Sequence, residues 1–156
     1  MFFSDTEQIT LSAVRRMVHN VGPDLIWELM NVRTCDRIGT GRPKESPYRL
    51  RKYHSMIDEA LRDPVSVAQL KVGGEEIIKI TKIDPGPKIG FILHILLDEV
   101  LDDPSKNEIS YLEKRSTELS KLTDRELTNL GEKAKERKER EEEEELKKLR
   151  DRHHVE

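Results

Sequence analysis

Apolar residues recur at helical spacing along most of this chain. Between residues 9 and 18 they fall three or four positions apart, as on one face of a helix: Ile9, Leu11, Val14, Met17 and Val18. Ser4 and Glu7 form a capping-box pattern that predicts the start of this helix. The run Gly22-Pro23-Asp24 predicts its end, because glycine and proline interrupt helices.

A second apolar stripe predicts a second helix, with these side chains in the core: Leu25, Ile26, Leu29, Met30 and Val32. Trp27 is expected on its flank, and the helix is expected to end at Gly39-Thr40-Gly41. A third helix is predicted from about Pro47 to Arg62. Its inward side chains are expected to be Tyr53, Met56, Ile57, Ala60 and Leu61.

The next segment predicts two helices joined by a tight turn, between Gly73 and Leu101. Pro85-Gly86 is a turn dipeptide, and Pro87 suits the first position of a helix, where its missing N–H costs nothing. Gly90 is expected to allow another backbone to approach closely. A helix start of this kind attracts phosphate, because its backbone N–H groups point outwards.

Two more helices are predicted near the C-terminus, the last with a capping box at Thr123-Asp124-Arg125-Glu126. Because no alternating strand pattern occurs, the predicted fold is all-α, an array of short packed helices. The segment from Glu132 to Arg152 is almost entirely Glu, Lys and Arg, which predicts a long charged helix without a core of its own. The predicted organisation is therefore a helical domain over 1–122 and a charged tail over 123–156.

Composition indicates the cellular compartment in which the protein is expected. Charged residues make up 38% of the 156 residues, and the single cysteine, Cys35, excludes an internal disulfide. No apolar run is long enough for a membrane span, and the N-terminus does not have the pattern of a signal peptide. We therefore expect a cytoplasmic protein that does not insert into a membrane.

Positive charge is concentrated between Arg33 and Lys52. Seven basic residues less two acidic ones give this segment a local charge of +5, and Tyr48 and Tyr53 lie among them. Such a composition is typical of a surface that binds a phosphate backbone, although an ordinary surface loop with salt bridges is the alternative. The candidate RNA-binding residues are these cations together with the turn before the predicted fifth helix: Arg42, Lys44, Arg49, Arg51, Lys52, Gly86, Pro87 and Lys88.

No complete catalytic constellation is found. The chain has no phosphate-binding P-loop and no Gly-x-Ser-x-Gly elbow, and its histidines do not have metal-ligand spacing. Asp36 is interpreted as an ion-pair partner of Arg33 or Arg37, with a metal ligand as the alternative, and His94 is expected in the core. We therefore predict no catalytic residues, no metal and no cofactor.

Three segments resemble the C-terminal portion of bacterial tRNA nucleotidyltransferases, the family of CCA-adding enzymes and poly(A) polymerases with an HD domain. Cys35-Asp36-Arg37-Ile38-Gly39-Thr40-Gly41-Arg42 is similar to the end of the HD-type domain. Leu70 to Ile77 is similar to a helix start of the family. The most specific likeness is Ile83-Asp84-Pro85-Gly86-Pro87-Lys88-Ile89-Gly90, followed by Leu96 to Pro104. The likeness covers roughly residues 9–120.

The resemblance implies a partner, namely tRNA or another structured RNA. The family's catalytic head, with its Gly-Ser loop and Asp-x-Asp metal pair, has no counterpart here, and Asp36 resembles the last HD aspartate without its partners. The expected function is thus binding of the tRNA acceptor stem without catalysis. Two alternatives remain: half of a split enzyme, whose first two helices dock a separate head through an exposed apolar patch, or a helical protein-interaction module that uses the charged tail.

Overall fold

The computed structural model describes residues 9–41 and 48–130, and this part of the chain is all-α. Its helices are α1 (Leu11–Val21), α2 (Ile26–Gly39), α3 (Tyr48–Ala60), α4 (Gly74–Thr81), α5 (Pro87–Asp102) and α6 (Ile109–Ser120). A seventh helix, α7, covers 124–130, and two short 3₁₀ turns lie at Val67–Gln69 and Pro104–Lys106. The prediction of an all-α fold is confirmed. The predicted tail beyond residue 130 lies outside the described residues.

The described residues form two compact units. The first, the α1–α3 unit, contains residues 9–41, 48–70 and 97–107; the second, the α4–α6 unit, contains 71–96 and 108–130. Helix α5 contributes residues to each unit. The start of the predicted tail, 123–130, belongs to the α4–α6 unit, and the predicted boundary at residue 122 stays a prediction.

In the α1–α3 unit, α1 packs against α3 around a fully buried aliphatic core. The central side chains are Val14, Val18, Ile26, Met30, Ile57 and Ala60. One charge is also buried: Arg15 donates from Nε to Oδ2 of Asp63 at 2.7 Å and from Nη1 to the Leu101 carbonyl at 3.1 Å. A buried guanidinium needs such partners, because desolvation of an unpaired charge is costly.

In the α4–α6 unit, α4 packs against α6. The core side chains are Ile77, Ile89, Ile92, Leu96, Leu112, Leu119 and Leu127. Pro87 is the first residue of α5, as predicted. The capping box before α7 is also confirmed, since the Thr123 N–H donates to Oε2 of Glu126 at 2.7 Å.

Several details differ from the sequence-based expectations. Helix α1 begins at Leu11, after the predicted helical residue Ile9, because the Thr10 side chain accepts from the Ala13 N–H and provides the cap. Ser4 and Glu7 lie outside the described residues. Leu25, the N-cap of α2, is 53% exposed and Val32 on α2 is 65% exposed, so these two predicted core residues face solvent.

Two expectations for α5 were also wrong. His94 is exposed and does not belong to the core. A Cβ at Gly90 would meet nothing within 4 Å, so within the described residues no backbone approaches there. The close approach lies instead at Gly74, where a Cβ would lie 3.4 Å from Cγ2 of Ile89. Among residues 9–41 and 48–130, none of the helices is long and apolar enough to span a membrane.

Candidate nucleic-acid interface

The first turns of α3 carry an exposed aromatic ring next to two cations. Tyr48 is the first residue of the helix, and its side chain is 66% exposed. Arg51 and Lys52 follow at three and four positions, which is the spacing of side chains that share a helix face. Arg51 is exposed and Lys52 is half-buried. This combination of a stacking surface and positive charge suits an RNA strand.

The order of charges along α3 opposes the helix dipole. Cations occupy the first half, where the helix end is already positive, whereas Asp58 and Glu59 lie in the last turn, and both are exposed. In the terminal turns, a charge that opposes the dipole is unfavourable for an isolated helix by about 0.3–1 kcal/mol, and the effect falls off beyond them. The helix dipole therefore does not favour Arg51 and Lys52 at these positions. Their charge adds to the positive end of α3 and raises its attraction for an anion.

Tyr53, the second aromatic residue of the basic segment, has a different role. It is only 4% exposed and belongs to the core of the α1–α3 unit. Burial raises the pKa of its hydroxyl, and the nearby Arg33 charge opposes this shift. Arg42 and Lys44 lie outside the described residues. Arg49 belongs to α3, and its side chain lies outside the described part of the structure.

The remaining three candidates lie at the start of α5. Gly86 and Pro87 are exposed, whereas Lys88 is half-buried. The Ile89 N–H donates to the Gly86 carbonyl at 3.1 Å, and Pro87 has no N–H, so only part of the first turn is left to donate to an anion. Lys88 also has a nearby anion: hydrogen bonds from Thr123 are the main reason why the pKa of Glu126 is lowered, and the positive charge of Lys88 adds to this shift.

The start of α4 does not offer a phosphate site. Its N-cap is Gly73, whose N–H donates to Oε2 of Glu76 at 3.0 Å. With Glu75 also in the first turn, the protein's own carboxylates occupy the position that a phosphate would take. The anion-binding potential that the sequence assigned to the whole α4–α5 segment is therefore restricted to α5.

The connection between α4 and α5 contains a cation that sequence reasoning missed. Lys82 is the C-cap of α4 and has a left-handed backbone with φ 56°. Its side chain is exposed. No sequence signal identifies this position, because glycine and asparagine are the residues normally found there. Gly86, by contrast, does not have a positive φ.

Asp36 is an ion-pair partner, as preferred from the sequence. Its Oδ2 accepts from Nη1 of Arg33 at 2.9 Å. In the part of the chain that the structure describes, no group of three or more His, Cys, Asp or Glu side chains is arranged to hold a metal ion.

The predicted RNA-binding residues thus fall into two described groups, one in each unit. Arg51 and Lys52 belong to the α1–α3 unit, and Gly86, Pro87 and Lys88 belong to the α4–α6 unit. No protein-family model matches the chain, and no curated protein or solved structure is significantly similar to it. The resemblance to tRNA nucleotidyltransferases therefore rests on the three sequence segments alone.

Proposed function

We propose that this chain binds structured RNA, such as the acceptor stem of a tRNA, and has no catalytic site of its own. It would be the RNA-holding portion of a protein similar to tRNA nucleotidyltransferases. The observation that carries the proposal is the exposed Tyr48 beside Arg51 and Lys52 on α3. Two further observations support it: the charge order of α3 opposes the helix dipole, and the exposed Lys82 has a left-handed backbone, where glycine or asparagine is usual.

The contacts are expected to favour the RNA backbone. Double-stranded RNA is recognised mainly through phosphates and 2′-hydroxyls, because its major groove is too narrow for side chains. Arg51 and Lys52 would each neutralise a phosphate, while Tyr48 would stack on an unpaired base or on the end of a stem. Binding would then show little sequence preference and a strong dependence on salt.

The test is fluorescence anisotropy with a labelled acceptor-stem minihelix at several salt concentrations. The Arg51→Gln/Lys52→Gln variant should bind more weakly. The slope of log affinity against log salt should be shallower by about 0.7–0.9 for each phosphate that the variant no longer neutralises. Tyr48→Ala should weaken binding to a minihelix with a single-stranded 3′ end more than binding to a blunt duplex, because stacking requires an accessible base.

A matched control removes the same charge elsewhere. Lys114 and Lys121 are both exposed, on or directly after α6, and belong to the α4–α6 unit. The Lys114→Gln/Lys121→Gln variant should retain the affinity of the unmodified chain. If both double variants weaken binding equally, binding depends on overall charge, and the proposed α3 surface is wrong. If the unmodified chain does not bind the minihelix at low salt, the proposed function is wrong.

A further inference from the structure

Helix α2 presents an apolar stripe that the described part of the α1–α3 unit leaves uncovered. Leu25 and Val32 are more than half exposed, and the half-buried Leu29 lies between them in the sequence. Their positions, i, i+4 and i+7, fall on one line along the helix surface. A neighbouring face of the same helix enters the core, through Ile26 and Met30, which lie one position after Leu25 and Leu29.

The rim of this stripe is acidic. Asp24 and Glu28 are exposed at the N-terminal end, and Asp36 is exposed one turn beyond Val32. Arg33, a basic side chain close to this line, already pairs with Asp36. Asp24 and Glu28 therefore give the N-terminal half of the apolar stripe a negative border, whereas the charge of Asp36 is balanced by Arg33.

The charge of the rim decides between possible occupants. A phosphate backbone would be repelled by the carboxylates of Asp24 and Glu28, so this face does not extend the RNA surface of α3. A second copy of the chain, paired through the same face, would bring Asp24 and Glu28 close either to their own counterparts or to Asp36, which already pairs with Arg33. A partner with an apolar stripe at the same spacing and basic side chains on either side would satisfy both features of the face.

We propose that the α2 stripe docks an amphipathic helix of another polypeptide whose apolar stripe is bordered by Lys and Arg. Leu25, Leu29 and Val32 would pack between the apolar side chains of that helix, as in the seam of a short coiled coil. The acidic rim would fix its orientation and speed its association. This interaction goes beyond RNA binding. It is one way in which a separate polypeptide could dock on the first helices of the chain.

The test uses two synthetic helical peptides of about three heptads with the same leucine stripe. One peptide has Lys and Arg beside the stripe, and the other has Glu at the same positions. Cys35, the single cysteine, is exposed three residues after Val32, so a polarity-sensitive fluorophore attached there reports binding. We expect saturable binding of the basic peptide, a blue shift of the fluorophore, and much weaker binding of the acidic peptide.

Two variants test the stripe and the rim separately. Val32→Asp should lower the affinity for the basic peptide by about tenfold or more, because it buries a carboxylate in an apolar seam. Ile109→Asp is the matched control, since Ile109 is 52% exposed on α6 and should not affect peptide binding. Asp24→Lys/Glu28→Lys should reverse the preference, so that the acidic peptide binds better.

Circular dichroism and Trp27 fluorescence will establish that each variant is folded. Equal binding of the two peptides, or binding unaffected by Val32→Asp, would overturn the proposal. Absence of peptide binding would also overturn it. Concentration-dependent dimers in sedimentation velocity that Val32→Asp abolishes would instead identify a second copy as the occupant. Retention of peptide binding by Arg51→Gln/Lys52→Gln would separate this surface from the RNA-binding one.

Discussion

The ion pair between Arg15 and Asp63 should be a main determinant of stability in the α1–α3 unit. The Arg15 side chain is only 9% exposed, and its guanidinium donates both to Asp63 and to the Leu101 carbonyl near the end of α5. Asp63→Asn keeps an oxygen in place to accept from Nε but removes the countercharge. The buried guanidinium would then lose its ion-pair partner, although the charge of Asp103 remains nearby.

The expected cost follows from the burial of the two partners. Removing one member of a fully buried pair costs about 3–5 kcal/mol. Because the Asp63 side chain is 27% exposed and the asparagine oxygen still accepts a hydrogen bond, we expect a smaller loss, of about 2 kcal/mol. Arg15→Met retains much of the packing but leaves the Leu101 carbonyl without this donor, which should cost about 1–3 kcal/mol.

A double-mutant cycle isolates the interaction between the two side chains. In the Arg15→Met background, Asp63→Asn should cost little, which gives a coupling energy of about 1.5–2 kcal/mol. Urea unfolding followed by Trp27 fluorescence measures it, because Trp27 belongs to the same unit and its ring lies 5.6 Å from that of His54. A loss of 2 kcal/mol shifts the midpoint by about 1 M urea. A coupling energy below about 0.5 kcal/mol would refute this account of the ion pair.

Three further predictions concern titration and helix geometry. Burial raises the pKa of Tyr53, so this residue stabilises the folded state below the ordinary tyrosine pKa, and the contribution is lost as pH rises through the folded-state pKa. In Tyr53→Phe, the free energy of unfolding in urea should therefore fall less steeply with pH above about pH 10. The hydrogen bonds from Thr123 lower the pKa of Glu126, so its contribution is present above the ordinary glutamate pKa and is lost as pH falls through the lowered one. In a carboxyl NMR titration, Thr123→Val should move this pKa back towards its usual value, and an unchanged pKa would contradict the capping account. Gly90→Ala should stabilise the chain by about 0.5–1 kcal/mol in thermal unfolding, because alanine favours the helix and its Cβ meets open space; a loss of stability would show that Gly90 has a packing role.

The boundaries of several helices could be predicted because local chemistry determines them. Gly22 ends α1 with φ 96°, Pro87 begins α5, and Thr123 with Glu126 caps α7. Each of these signals acts within four residues of the chain. The predicted start of α1 was wrong. Thr10 and Ser4 are both residues that cap helices, and the sequence pattern alone did not indicate which of the two precedes the helix.

Which face of a helix is buried was harder to predict. In α2 the apolar residues form two overlapping stripes, one through Ile26 and Met30 and the other through Leu25, Leu29 and Val32. Helical periodicity is compatible with burial of either stripe. Only packing against the rest of the unit determines that the first stripe is buried. His94 was misplaced for a similar reason, since its apolar neighbours in sequence lie on other sides of α5.

The candidate nucleic-acid interface could likewise be predicted only in part. Composition identified the basic segment and the turn before α5. Helical periodicity also predicted that Tyr53 is buried. The sequence did not show that Lys88 lies near Glu126, because this proximity joins residues distant in sequence. Whether a cation is paired within the protein depends on the tertiary structure, so counting charges along the sequence does not reveal it.

The charge order of α3 has a consequence for protein engineering. A procedure that selects only for thermal stability would replace Arg51 and Lys52 by acidic or neutral residues, and would place lysine or arginine where Asp58 and Glu59 now stand. The resulting protein would melt at a higher temperature and would lose the surface that we assign to RNA. Stabilised versions of this chain for crystallisation should therefore keep α3 unchanged, since improvement of this helix and preservation of its binding surface require opposite substitutions.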